Sequence, residues 1–279
     1  MSKTLYVSDL DGTLLNSQSE ISSETAEIIN SLVDKGLNFT FATARSLSSA
    51  EPVTQGLTKS LPVIVYNGTF IIIPETGERI LQRGFSDEEQ QEIREILTAN
   101  GVYPIAYAII DGAERASWFA GKETEEVRIH VEHRTSDERT AGRMRKCESI
   151  DELYFGDGFY YTCIDKDRAA LEKVAEEIEK LPCCNCTFQR YENERGFWLE
   201  IMPKRATKAD AIAQLKEKLG CDRVVAFGDS LNDISMFLAA DECYAVENAL
   251  DEVKQIATGV IGRNDENAVA NWLKENAFL

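Results

Sequence analysis

The chain has 279 residues, 43% of them hydrophobic, and a formal net charge of −18. That length accommodates one large domain or two modest ones, with enough apolar residues for a full core. The acidic balance argues against a general nucleic-acid binder and against an anionic membrane surface; we read it as solubility. No run of roughly 18 apolar residues occurs, so no membrane-spanning helix is expected.

At the N-terminus Lys3 interrupts the apolar run early and no long hydrophobic region follows. No signal peptide is read, and the expected location is the cytoplasm. Seven cysteines, an odd number, lack the spacing of a disulfide framework, so reduced thiols are expected. Cys183, Cys184 and Cys186, with His130 and His133 elsewhere, could supply zinc ligands. Adjacent cysteines are not the usual CxxC chelate, however, and nothing in the sequence brings the histidines near. Ordinary loop and strand positions are the preferred reading.

In chain order, Leu5-Tyr6-Val7 reads as a short strand. Ser22 or Ser23 then caps a helix with Ala26, Ile29 and Val33 on one side, ended by Gly36. Asn38 to Thr43 and Pro62 to Tyr66 are further strands. Near-continuous apolar strands separated by helices indicate a parallel sheet covered on both faces. Ser86-Asp87-Glu88-Glu89 is a capping box for a helix running toward Asn100 and Gly101. Ile105 to Ile110, Ala116 to Ala120 and Phe159 to Ile164 are strand-like, with a charged, irregular stretch from Gly121 to Ser149. Lys166 to Leu181 is an amphipathic helix. This block predicts an α+β unit with helices on one face of an antiparallel sheet. Further on, Thr207 caps a helix through Leu219, Val224 to Gly228 is a buried strand, and Cys243 to Val246 another. The expected fold is a Rossmann-like α/β core, residues 1–82 and 195–279, interrupted by an inserted α+β domain, residues 83–194.

Four segments fall at or just after the C-terminal ends of predicted core strands, the edge where open parallel sheets bind ligands. The first is Asp9-Leu10-Asp11-Gly12-Thr13, two carboxylates two apart with a glycine for a sharp turn. An acidic turn closing a strand is the alternative reading, and the weaker one even for this segment alone. The second, Thr40-Phe41-Ala42-Thr43-Ala44-Arg45, ends a strand with a hydroxyl and a cation. The third is Lys208, in the first turn of a helix, where a cation is mildly disfavoured unless an anion sits beside it. The fourth is Gly228-Asp229-Ser230-Leu231-Asn232-Asp233, with Asp229 and Asp233 about one turn apart. Carboxylates so placed suit Mg²⁺, a hard cation that prefers oxygen ligands.

Together the four segments resemble the haloacid dehalogenase (HAD) superfamily, whose motifs occur in this order. Its D-x-D-G-T and G-D-x-x-N-D patterns are both matched here. The insertion between the second and third motifs is similar to the type-C2 (C2B-like) cap placement, and Glu200-Ile201-Met202-Pro203 leading to Lys208 is similar to the Cof-type phosphatases. Ala44 stands where glycine is frequent, and Thr69 after Asn67-Gly68 where alanine is common. The resemblance implies a Mg²⁺-dependent phosphatase. In it, Asp9 is the nucleophile and Asp11 the acid and base. Thr43, Ala44, Lys208 and Asn232 bind phosphate. Asp9, the Asp11 backbone carbonyl and Asp229 bind the metal, with Asp233 direct or through water. The implied substrate is a small phosphorylated metabolite, a sugar phosphate first, and the protein a monomer or small homo-oligomer that binds neither nucleic acid nor membrane. The insertion is expected to act as a lid; Arg115, Trp118, Arg128 and His130 are candidate contacts in it, but none is assigned. A phosphomutase with cap cations for a second phosphate is the nearest alternative. A regulatory protein that lost catalysis is another, and retention of Asp9, Asp11, Lys208 and Asp229 argues against it.

Overall fold

The computed structural model describes residues 3–190 and 196–278. Two compact units result, Met1–Gln82 with Ala206–Leu279, and Arg83–Arg205. The first unit begins with β1 (Thr4–Ser8), whose Leu5 and Val7 are fully buried. At α1 (Ser23–Val33) the Ser22 hydroxyl accepts the Thr25 N–H, and the helix buries Ala26, Ile29 and Leu32. Leu32 takes the inward place expected of Val33. β2 (Asn38–Phe41) pairs parallel with β1, and α2 (Leu47–Val53) follows. β3 (Val63–Val65) touches the parallel sheet through one bridge, Ala42 with Ile64. Its main partner is β4 (Phe70–Ile72), antiparallel, which pairs in turn with β5 (Arg79–Gln82). The tight turn from Tyr66 to Gly68 reverses the chain there, so this strand departs from a purely parallel arrangement.

The inserted unit starts with α3 (Asp87–Ala99), where Ser86 and Glu89 form the full capping box. β6 (Ile105–Ile110) and β7 (Ala113–Phe119) make a hairpin. The stretch from Gly121 to Ser149, expected to be irregular, is instead ordered as α4 (Glu125–Ser136), α5 (Glu138–Ala141) and β8 (Met144–Cys147). Thr124 caps α4, and Val127 and Val131, one turn apart, are its aliphatic anchors. Such a narrow apolar stripe among charges leaves little periodic signal in the sequence. After α6 (Ile150–Leu153) come β9 (Asp157–Asp165), α7 (Arg168–Ile178), β10 (Cys184–Arg190) and β11 (Phe197–Pro203). The six strands run in the order β10-β11-β9-β6-β7-β8, antiparallel except for β7 with β8.

Ile93 and Leu97 of α3 and Leu171, Val174 and Ile178 of α7 pack with Tyr161, Cys163, Leu199 and Ile201. On the alternate strand positions Ile105, Ala116 and Ile164 pack with Val127 and Val131 of α4. Helices therefore cover both faces of this sheet, rather than one. The expected boundary at 194/195 lies outside the described residues; the division falls at Arg205/Ala206. The physical reason is pairing: β11 lies between β9 and β10 and belongs to their sheet.

The chain then returns to the first unit with α8 (Lys208–Leu219), capped by Thr207 and ended by Gly220 at φ +61°. β12 (Arg223–Gly228), α9 (Ile234–Ala239), β13 (Glu242–Ala245), α10 (Asp251–Ile256), β14 (Gly259–Val260) and α11 (Ala268–Asn276) complete it. The parallel sheet has the order β14-β13-β12-β1-β2, which places β1 and β12 side by side at its centre. No described helix is long and apolar enough to cross a membrane.

Candidate active site

Sheet register assembles the site. Ser8 pairs with Phe41 on one side and Phe227 on the other. The Asp9 N–H donates to the Phe227 carbonyl at 2.9 Å, and the Ala42 N–H donates to the Ser8 carbonyl at 2.9 Å. Asp9, Thr43 and Asp229 therefore leave the sheet at one level, past the carboxyl ends of three adjacent strands.

The Asp9 segment then makes one irregular helical turn, Leu10–Leu14, with Gly12 at φ +74°. A Cβ at Gly12 would collide with the Asp229 carboxylate, so only glycine lets the two segments approach this closely. Thr13 Oγ1 donates to Asp229 Oδ1 at 2.8 Å. Asn248 Nδ2 donates to the Gly12 carbonyl at 2.7 Å, and Asn248 Oδ1 accepts the Asn264 N–H. These braces were not foreseen. Thr13 stood inside the quoted motif; Asn248 and Asn264 carry no local sequence signal.

Lys208 opens α8 and is 1% exposed. Its Nζ donates to Asp9 Oδ1 at 2.5 Å and to Asp233 Oδ1 at 2.7 Å. Asp233 is fully buried, and its other oxygen accepts the N–H groups of Asp229 at 2.9 Å and Ser230 at 3.1 Å. Carboxylate oxygens of Asp9, Asp229 and Asp233 lie within 4.8 Å of one another. Two carboxylates thus share one ammonium, with the third, Asp229, beside them.

Burial pushes the Asp9 carboxyl above the ordinary range, and the Lys208 ammonium opposes it. Burial likewise raises Asp229, to about 6, against the hydrogen bond from Thr13. Burial would lower Lys208, but Asp9 and Asp233 outweigh it and hold the ammonium charged. A neutral Asp9 would leave Lys208 half-paired. The 2.5 Å contact favours the ion pair. One ammonium beside three clustered acids leaves the site short of positive charge, which a divalent cation with oxygen preference would supply.

The remaining expected residues lie at the same edge with different partners. Asp11 is held by Arg45 in a fork, Nε to Oδ2 at 2.7 Å and Nη2 to Oδ1 at 2.5 Å. Its carboxylate is therefore outside the cluster formed by the other three. Thr43 is buried, and its Oγ1 accepts the Arg45 N–H at 3.1 Å. Ala44 beside it is exposed. Asn232 donates to Asn67 Oδ1 at 3.1 Å and accepts from Ser230 Oγ at 2.6 Å. Tyr66, Asn67 and Gly68 are successive left-handed residues, and a Cβ at Gly68 would strike the Thr207 carbonyl. This strained turn is wedged against the start of α8, which is how it brings Asn67 to Asn232.

The histidines and cysteines do not meet. His130 packs edge-to-face on Trp198, among the residues around α4, whereas Cys184 and Cys186 belong to the core beneath α3 and α7. Among the described residues the aspartates alone form a three-residue metal-ligating cluster.

A family model described as haloacid dehalogenase-like hydrolase matches residues 6–273. The chain is 29% identical over 289 residues to the 5-amino-6-(5-phospho-D-ribitylamino)uracil phosphatase YwtE of Bacillus subtilis, spanning 96% of each chain. It is 27% identical to a putative phosphatase of Streptococcus pyogenes, over 99% of this chain and 98% of the relative. The crystal structure of TM0651 from Thermotoga maritima superposes with a TM-score of 0.78 at 27% identity, over 99% of this chain and 97% of the other. A parallel sheet with acidic strand ends and a buried lysine is thus the frame of a HAD-type phosphatase. The chain belongs to the haloacid dehalogenase-like hydrolase family.

Proposed function

We propose that this protein is a Mg²⁺-dependent phosphomonoesterase that cleaves small phosphorylated metabolites, sugar phosphates first, through a phosphoryl group carried on Asp9. The observation that carries the reading is Lys208, buried between Asp9 and Asp233 with Asp229 alongside. The name of the Bacillus subtilis relative specifies a phosphorylated ribityl compound, which favours a sugar-like phosphate. Asp9, Asp229 and the Asp11 backbone carbonyl would hold the metal. Asp233 would act through water, because its two oxygens already accept from Lys208, Asp229 and Ser230. When bound, the ion supplies the positive charge that lets an anionic phosphate approach a carboxylate.

The protein's groups perform the transfer. An Asp9 oxygen attacks phosphorus as the ester P–O bond breaks, and Asp11 gives a proton to the departing alcohol oxygen. Asp11 then takes a proton from the water that attacks phosphorus and frees Asp9. Asp11 can serve only once its fork with Arg45 opens. Lys208 spends two of its three N–H groups on Asp9 and Asp233, leaving the third for a phosphate oxygen. The Thr43 hydroxyl, the Ala44 N–H and Asn232 would take the other oxygens, consistent with charge neutralisation as the main demand of phosphoryl transfer.

The test is phosphate release from p-nitrophenyl phosphate. Asp9→Asn is expected to release none while its circular dichroism spectrum is unchanged, and EDTA is expected to silence the wild type until Mg²⁺ is returned. Turnover at the wild-type rate by Asp9→Asn, or full activity in EDTA, would end this reading.

A further inference from the structure

Five of the seven cysteines lie in the inserted unit, and four of them gather around one core. Cys163 and Cys184 are in the core under α3 and α7, with Cys183 and Cys186 packed against it. Within this group the Sγ atoms of Cys183 and Cys184 are 3.6 Å apart. Two thiolates bound to one ion at about 2.3 Å, at the tetrahedral angle, are about 3.8 Å apart, so the pair already has the bite of a chelate. A disulfide is disfavoured here, because adjacent Cα atoms lie about 3.8 Å apart and the bond wants about 4.4 Å or more.

Access is one-sided. Cys184 is buried, whereas Cys183 is partly exposed and lines a cavity of about 470 Å³ with Glu89, Pro182, Lys204 and Arg205. Glu89 is already engaged, since Arg205 grips both of its carboxylate oxygens at 2.7 and 2.8 Å. The described residues offer no third metal-ligating group within reach of the two sulfurs. A four-ligand ion such as zinc would be left half-coordinated, so the site suits an acceptor that two sulfurs saturate.

We propose that Cys183 and Cys184 form a vicinal dithiol site for trivalent arsenicals bearing one organic group, the substituent lying in the cavity beside Lys204 and Arg205. The chemistry needs no oxidant. Both S–H bonds give their protons to the oxygen of R–As=O, that oxygen leaves as one water, and two As–S bonds form with arsenic remaining trivalent.

The probe is phenylarsine oxide added to the whole protein in the presence of excess monothiol, with the adduct read by intact-mass spectrometry. Wild type is expected to retain one arsenical and to release it to a dithiol. Cys183→Ala, at the cavity wall, is expected to lose retention at least tenfold, and Cys184→Ala likewise. Cys186→Ala is expected to keep it. Should Cys184→Ala fold poorly, Cys183→Ala decides by itself. Retention unchanged in Cys183→Ala, loss in Cys186→Ala, or no adduct on the wild type would each overturn the assignment.

Discussion

Replacing Lys208 with methionine keeps most of the length of the side chain and removes its ammonium group. The ammonium it deletes is buried and makes two contacts, 2.5 Å to Asp9 and 2.7 Å to Asp233. Neither carboxylate gains a replacement partner, and Asp233 cannot turn to water without surrendering the Asp229 and Ser230 N–H groups. Removing one partner of a buried ion pair costs about 3–5 kcal/mol, because the surviving charge is left uncompensated. At roughly 2–4 °C per kcal/mol, the loss in Tm is on the order of 10 °C. The assay is thermal denaturation in EDTA at pH 7.5, followed by circular dichroism. Part of the loss should return in the double variant Lys208→Met with Asp233→Asn, since one stranded charge has then been removed. A Tm within about 1 °C of wild type in Lys208→Met, or a double variant less stable than the single, would refute the claim that this ammonium holds the two acids together.

Gly12→Ala is expected to lower Mg²⁺ affinity at least tenfold in a titration of phosphatase activity, because its Cβ would displace Asp229 and φ +74° is strained for alanine; unchanged metal dependence would contradict this. His130, ordinarily near 6.5, is pushed down to about 4 by burial, with Arg134 and His133 adding to the effect. The unfolded chain therefore takes up the proton first as pH falls, so stability is lost between pH 6.5 and 4, by up to about 3 kcal/mol. His130→Phe should flatten that slope in a Tm-against-pH series while keeping a ring against Trp198; an identical slope would show that the acid sensitivity lies elsewhere.

The elements legible from sequence are those decided by short-range physics. Ser22, Thr207 and the Ser86–Glu89 box cap helices because their side chains bond amides three residues away. The apolar runs ending at Asp9 and Asp229 announce buried strands, and Gly12 and Gly228 mark where the chain must turn or be approached closely. α4 escaped because only Val127 and Val131 anchor it among charges. β11 was cut off from the inserted unit because strand partnership is a long-range choice that its own residues do not record.

The site divides the same way. The acids at 9, 11, 229 and 233 and the lysine at 208 could be named from residue type and spacing. Their partners could not. Asp11 lies in the fork of Arg45, and Asp233 is spent on Lys208 and two backbone amides. Asn248 braces the Gly12 turn from 236 positions along the chain. Sequence determined which charges this protein carries to the sheet edge, since strand ends and caps are local. Tertiary structure alone decided which charge meets which, because burial and long-range pairing set that choice.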